Sequence, residues 1–389
     1  MLPSPTPRLY TKVFIQFAIA NLFTVSSFGI FFIFPLYIKS IGGTKADIGI
    51  IMGTFALSSV LCRPWISEMI DRFGRKRSYA VGAFTMAVMP LGYLLLKGKL
   101  GDIYGPLILF RLVHGVGLAI CFTSAFTYVA DVLPRDRINE GIGMFGATGL
   151  IGLALGPAVG EAVARRFGFS CFFVAAAAFG TIGLLCQITL PESFRSGGQA
   201  GSRSFFALML EKKILLVGIL AFLFGLGLAA SGNFVSPFAK EKGIRVVSVY
   251  YVFYSLSAVG TRLFGGKIAD KVGEQEVIPY ALALTGLGLM LLALLGGNGV
   301  LIASGVMAGC GHGFLFPCLN ALVIRDEPAE VRGKITGIFT GGIDGGSFLG
   351  SIFLGYIGQV AGYRALFIAS GLALFAGLYI YNRVLRNRG

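Results

Sequence analysis

Apolar residues run through this chain in stretches too long and too numerous for the core of a water-soluble protein. Twelve segments, at roughly 13–38, 46–70, 78–96, 104–130, 138–164, 168–190, 213–239, 246–269, 276–296, 299–324, 332–359 and 364–384, approach or exceed the ~20 residues that a helix needs to cross a bilayer. Of the 389 residues, 55% are hydrophobic and 13% are charged, about half the charged share of soluble domains. Lipid offers no partner to an unpaired backbone group, so each segment is predicted to be helical. The expected fold is an all-α integral membrane protein of twelve spans.

One phrase closes the second span and recurs at the close of the eighth. Arg63-Pro-Trp-Ile-Ser-Glu-Met-Ile-Asp71-Arg-Phe-Gly74 is answered 199 residues later by Arg262-Leu-Phe-Gly-Gly266-Lys-Ile-Ala-Asp270-Lys-Val-Gly273. Two further matches follow in register. Pro134-Arg-Asp-Arg137 precedes span 5 and Pro328-Ala-Glu-Val-Arg332 precedes span 11, while Arg166-Phe-Gly168 opens span 6 and Val360-Ala-Gly362 opens span 12. The halves are therefore predicted to be two pseudo-symmetric six-helix bundles, at 1–190 and 212–389. Between them, 191–211 reads as a flexible cytoplasmic linker because Pro191 to Ser204 is polar and rich in glycine and serine. Many secondary transporters are built from such internal repeats.

The formal net charge of +15 is spread through short loops, with no basic patch of the kind nucleic acid requires. With both termini cytoplasmic, the cytoplasmic segments hold 20 Lys and Arg residues against 10 in the external loops. That bias predicts a multi-pass protein of the cytoplasmic membrane in this orientation. Pro3, Pro5 and Pro7 precede the first span without a cleavage signal, so that span is expected to serve as an uncleaved insertion signal. The six cysteines lie in apolar segments without CxxC spacing and read as reduced thiols. No HExxH, GxSxG, catalytic carboxylate pair or nucleotide-binding glycine loop occurs, which argues against an enzyme and against a metal or organic cofactor. A P-loop is also missing, which excludes ATP-driven transport by this chain alone. The expected partners are lipid and a small-molecule substrate, with the protein as a monomer.

Asp71-Arg-Phe-Gly74-Arg75-Lys76-Arg77 resembles the G-x-x-x-D-R-x-G-R-R loop of the major facilitator superfamily, with Ser67 in place of the leading glycine. The second copy keeps Gly266, Asp270 and Gly273 but has Glu274 where a basic residue is usual. In span 4, Phe110-Arg111-Leu-Val-His114-Gly115-Val-Gly117 is similar to the family's R-x-x-Q-G-x-G pattern, with His114 in the glutamine position. Span 5 carries Gly149, Gly152, Gly156-Pro157, Gly160 and Glu161. It resembles the G-x-x-x-G-P-x-x-G-G motif of the family's exporters, among them drug:proton antiporters, with Glu161 where a final glycine is usual. The resemblance implies gating roles for Asp71, Gly74, Arg75, Asp131, Asp270, Gly273, Gly156 and Pro157. It further implies that Asp71 seats against the start of span 11 and that Arg75 pairs with Asp71 and Asp131. Arg111 is implied in proton coupling. An arginine at membrane depth costs ~2.5–3.5 kcal/mol, so it either finds a protein partner or snorkels outward.

Asp344 is the one acid set deep inside a predicted span, close to the Gly337/Gly341 stripe. A carboxyl held away from water suits proton uptake and release, and a fixed hydrogen bond to a neighbouring helix is the alternative role. Glu161 and His114 are further candidates for proton coupling, because an imidazole titrates near neutral pH. Asn21, Asn233, His312 and Asn320, on spans implied to line a central cavity, are the candidates for substrate contact, with Gln16 beside them. No cluster of acidic or basic residues points to a strongly charged substrate. The leading expectation is secondary active transport of a small organic solute by alternating access, as proton-coupled export driven by the proton gradient. Uptake by symport or facilitated diffusion is a second reading, and a non-transporting membrane receptor is a third from a different class.

Overall fold

The computed structural model describes residues 9–134, 137–193, 204–325 and 327–384. Among the described residues every regular element is a helix, and there is no strand. In the first half, α1 (Lys12–Ile30) and α2 (Phe34–Ser40) together form the first crossing, followed by α3 (Lys45–Phe73), α4 (Arg75–Gly92), α5 (Leu100–Val132) and α6 (Ile138–Gln187). A short α7 (Phe205–Met209) leads into α8 (Lys212–Glu241), α9 (Val249–Val272), α10 (Glu274–Leu291), α11 (Asn298–Ile324) and α12 (Ala329–Val384).

α6 and α12 have 50 and 56 residues, and as straight rods they would span ~75 Å and ~84 Å against a hydrocarbon core of ~30 Å. Each is folded in two. Gly168 (φ 82°, ψ 177°) and Gly362 (φ 82°, ψ 170°) adopt a backbone that side chains with a Cβ rarely reach. The neighbours confirm the reversal. Before Gly168, positions 152 and 156 pass Ser26 and then Ile30 of α1; after it, Ala176 faces Ser27 and Gly183 faces Ala20. In α12, positions 342, 346 and 350 ascend α8 past 218, 222 and 226, and Gly377 returns beside Leu223. α6 and α12 thus supply two crossings each, which with the other helices makes the twelve crossings expected.

Close backbone contact holds each bundle together, as expected where lipid removes the hydrophobic drive between helices. A Cβ added at Gly156 would lie 2.4 Å from the carbonyl oxygen of Ser26 and 2.7 Å from the amide nitrogen of Ile30, and one added at Gly29 would lie 3.3 Å from Pro157 Cδ. The glycine–proline phrase in α6 is therefore a seam between α1 and α6. Asn21 reinforces that seam by donating to Thr148 Oγ1 at 2.9 Å, and Asn233 joins α8 to α12 by donating to Ser351 Oγ at 2.8 Å.

The stretch expected to be a linker differs from expectation at both ends. Pro191 to Ser193 lies against the first bundle, where Tyr128 donates its hydroxyl to the Pro191 carbonyl. At the other end α7 buries Leu208 completely. Positions 194–203 are outside the described residues.

Replacing Gly156 with leucine is expected to drive α1 and α6 apart, at a cost of about 1–3 kcal/mol for overpacking. Thermal unfolding in detergent checks this: a marked loss of Tm is expected, and an unchanged Tm would refute the seam.

Candidate functional site

The bundles meet along two antiparallel crossings related by the repeat, α3 with α12 and α6 with α9. On the face away from the charged turns at 71–77 and 270–274, the α3/α12 crossing is closed at van der Waals contact. A Cβ at Gly49 would lie 2.4 Å from the Ser351 carbonyl oxygen, and one at Gly355 would lie 2.9 Å from that of Lys45. Lys45 N donates to Gln359 Oε1 at 3.2 Å, and the Phe32 carbonyl accepts from Ser236 Oγ at 3.0 Å. The pseudo-symmetric place on α6, 194 residues before Gly355, is Glu161. Its carboxylate is 4% exposed and accepts from Val247 N at 2.9 Å and Ser248 N at 2.7 Å, at the start of α9. The aligned dipoles and free N–H groups of a helix start favour an anion there. Glu161 thus belongs to a clasp between the bundles on this face, and the structure does not bring it to Asp344.

Closer to the charged turns, Arg63 of α3 reaches across to α12. Its guanidinium pairs with Asp344 and donates to Thr340 Oγ1 at 2.6 Å, and Ser59 Oγ donates to Asp344 at 2.7 Å. The side chains of Arg63 and Asp344 keep 20% and 27% of their surface open. Asp344 therefore has both a hydrogen bond and a countercharge. Its depth was legible in the sequence, but Arg63 as its partner was not, because the pair spans 281 positions and two bundles. The repeat-equivalent Arg262 sits on α9 with its guanidinium 5.4 Å over the Phe316 ring and directed at Gly146 of α6.

At the charged turns, Arg75 lies 3.4 Å from Asp71 and 3.2 Å from Asp131. Asp71 is 70% exposed and pairs with Arg75; the side chains at positions 329 and 330, at the start of α12 where the resemblance seats Asp71, lie outside the described residues. Glu192, assigned from sequence to the linker, caps α4 by accepting from Arg75 N at 2.8 Å and Lys76 N at 3.1 Å. Gly74 (φ 96°) makes that approach possible, since a Cβ there would meet the Glu192 carboxylate at 2.5 Å. Ser193 Oγ completes the cluster by donating to Asp131 at 3.0 Å. In the second half Gly273 (φ 90°) repeats the turn, Glu274 pairs with Arg325, and the Asp270 side chain lies outside the described residues. The altered second motif therefore keeps an ion pair with its signs exchanged: a base on the turn and an acid at the end of α5 in one half, an acid on the turn and a base at the end of α11 in the other.

Arg111 and His114 are sealed inside the first bundle, 1% and 0% exposed. Arg111 stacks 4.5 Å over Phe55 and donates to the Ile51 carbonyl at 3.4 Å, so it neither snorkels outward nor meets a carboxylate among the described residues. His114 is enclosed by Phe31, Phe55 and Tyr93, with Tyr93 Oη 3.4 Å from Nδ1. These aromatic walls close around α5 and keep both residues off the bundle interface. His312 shares a 2.5 Å hydrogen bond with Tyr254 Oη, a partner the sequence did not suggest. Of the four substrate candidates, Asn21 and Asn233 are occupied in helix–helix hydrogen bonds, His312 is tied to Tyr254, and Asn320 Oδ1 is buried without a partner among the described residues. Gln16 donates to the Cys186 carbonyl at 2.6 Å.

Two repeated helical bundles, glycine seams and ion pairs carried across the interface describe a membrane transporter, not an enzyme. A sequence model of the Major Facilitator Superfamily matches residues 17–340 and 277–388, and the chain belongs to that superfamily. It is 23% identical over 385 residues to an uncharacterized MFS-type transporter of Methanocaldococcus jannaschii, covering 92% of this chain and 95% of the relative. It is also 23% identical over 373 residues to the multidrug resistance protein MdtG of Salmonella arizonae, covering 91% and 90%. Among solved structures, a point mutant of the nucleoside transporter NupG has a TM-score of 0.80 at 16% identity, covering 96% of this chain and 100% of that one. The human organic anion transporter MFSD10 (TETRAN) has a TM-score of 0.75 at 15% identity, covering 97% and 100%. A non-transporting receptor finds no support among them.

Glu161→Gln keeps one acceptor at the start of α9 and removes the charge. A hydrogen bond to a charged group contributes roughly 1.5–3 kcal/mol, so the clasp is expected to loosen. In a background without the native cysteines, a cysteine at position 32 is expected to react about tenfold faster with a membrane-impermeant maleimide when Glu161→Gln is added. Equal rates would refute the clasp.

Proposed function

We propose that this protein is a proton-coupled exporter of a small organic solute in the cytoplasmic membrane, with the charged turns and both termini in the cytoplasm. The observation that carries the reading is the Arg63–Asp344 pair, which joins the two bundles between the charged turns and the close contacts on the opposite face. While Asp344 is ionised, the pair and its Thr340 and Ser59 hydrogen bonds hold α3 against α12 and oppose opening toward the cytoplasm. A proton on Asp344 leaves Arg63 facing a neutral acid and releases that tie. Ionised Asp344 then favours the outward-facing state and protonated Asp344 the inward-facing one, which is the differential affinity coupling requires. A proton entering from outside and leaving inside thereby returns the carrier for another export cycle.

At the turns, Arg75 pairs with Asp71 and Asp131 while Glu192 caps α4, so that turn is held by contacts within the first half of the chain. Buried Arg111 and His114 serve the first bundle's stability in this reading. The multidrug resistance relatives favour efflux. The fold shared with a nucleoside transporter leaves uptake by symport as the second reading.

Flux in proteoliposomes of known orientation tests both. Asp344→Asn is expected to lose pH-gradient-driven transport by at least tenfold while keeping substrate counterflow, with Arg63→Gln losing gradient coupling as well. Substrate accumulation that moves with the protons in the wild type would establish symport instead. Gradient-driven flux undiminished in Asp344→Asn would remove this carboxyl from coupling.

A further inference from the structure

The two arginines that the repeat places in equivalent positions, Arg63 and Arg262, are treated differently by their surroundings. Arg63 has a carboxylate, a threonine hydroxyl and, through Asp344, a serine. On the opposite crossing, Gly146 stands 194 residues before Thr340 and Leu150 stands 194 residues before Asp344. A Cβ at Gly146 would lie 2.8 Å from Arg262 Nη1, so this arginine also addresses the partner bundle, but at a glycine, which has no side-chain acceptor. Among the described residues Arg262 has no hydrogen bond and no ion pair, and its Nε is buried without a partner. An uncompensated guanidinium at membrane depth is costly and marks a functional place by default.

A second orphan lies close by. Phe316, which the Arg262 guanidinium covers, is one turn of α11 before Asn320, whose Oδ1 is the buried acceptor without a partner. Residues four apart on a helix share a face. The same stripe includes His312, already satisfied by Tyr254, and Phe316 also meets Phe339 of α12 at 5.4 Å. Together these residues present a cation with open donors, aromatic walls, and one unmet acceptor a helical turn away, beside the junction of α9 with α6.

We infer that Arg262 is the anchor for the transported substrate, and that the substrate is a small organic monoanion with an aromatic body and a hydrogen-bond donor. The anion supplies the countercharge that Asp344 supplies to Arg63, its ring packs against Phe316, and its donor meets Asn320 Oδ1. A planar guanidinium suits a carboxylate because two parallel N–H groups match its two oxygens. One cation matches a single negative charge, consistent with the lack of any larger charged cluster. The inference rests on the export reading only in calling the ligand the cargo; the binding site itself stands on Arg262, Phe316 and Asn320.

Equilibrium binding to the purified protein in lipid nanodiscs, without any gradient, tests it. The probes are 4-hydroxyphenylacetate, phenylacetate, 4-hydroxyphenylacetamide and tyramine. Both acids are expected to raise Tm and to bind at least tenfold more tightly than the amide or the amine. Arg262→Gln is expected to abolish that preference, and Arg262→Lys to restore part of it. Asn320→Ala is expected to weaken the hydroxylated acid and leave phenylacetate unchanged. Gly146→Asp retains Arg262 but gives it an internal countercharge, and is expected to exclude both acids. Variants are compared only when they elute as monodisperse protein, and Arg262→Lys and Gly146→Asp give independent readouts should Arg262→Gln not fold. No stabilisation by either acid at millimolar concentration, equal binding of acid and amide, or undiminished acid binding in Gly146→Asp would each overturn the inference. These results do not depend on Asp344, so a failure of proton coupling and a failure of the anion site are told apart.

Discussion

A charge buried at membrane depth has to be neutralised or caged, and the way each one is met organises this molecule. Arg111 is caged by Phe31, Phe34 and Phe55 within one bundle, where cation–π contact and a backbone carbonyl replace water. Arg63 is neutralised across the interface by Asp344, and Glu161 is held by the free amides at the start of α9. The first of these arrangements is internal to a rigid body and survives any motion of one bundle against the other. The other two exist only while the bundles hold a particular relation. Ion pairs and capped helix starts placed at an interface therefore depend on how the bundles sit against each other, while the same chemistry within a bundle does not.

Glycine makes the interface switchable. Where Gly49 and Gly355 bring α3 and α12 into backbone contact, no side chain has to be dislodged for the helices to part. On the related crossing the equivalent of Gly355 is Glu161, which spans the gap with a carboxylate in place of bare backbone. The two crossings thus close the same face by different physics, one by dispersion between small residues and one by a charge-assisted cap. Only the second depends on the ionisation of a side chain.

The class of fold was legible because lipid imposes a strong rule: long apolar runs must be helices, and repeated charged turns reveal repeated bundles. Asp344 stood out for the same reason, as the one acid deep within a predicted span. What the sequence left open were pairings that join distant positions. Nothing local in Arg63-Pro-Trp indicates Thr340 or Asp344, and nothing in Pro191-Glu-Ser indicates that Glu192 caps α4 by closing on Gly74. The aromatic enclosure of His114 was hidden because its walls come from the break between α1 and α2, from α3 and from the end of α4. Periodicity gives the face of a helix, but not which neighbour that face meets.

Duplication explains why asymmetry is informative here. Two copies of one bundle begin with the same residues at equivalent places, so a difference at a matched site has a physical consequence that can be read directly. At the turns, the exchange of Arg75–Asp131 for Glu274–Arg325 preserves an ion pair with its signs reversed. At the centre, a threonine and an acid opposite Arg63 correspond to a glycine and a leucine opposite Arg262, and there the balance is not preserved. A positive charge left over on one side of a pseudo-symmetric interface polarises the space between the bundles. In the proposed reading, an anion entering that space would make the two crossings electrostatically alike, so that binding at one crossing and protonation at the other would act on a single equilibrium between the halves.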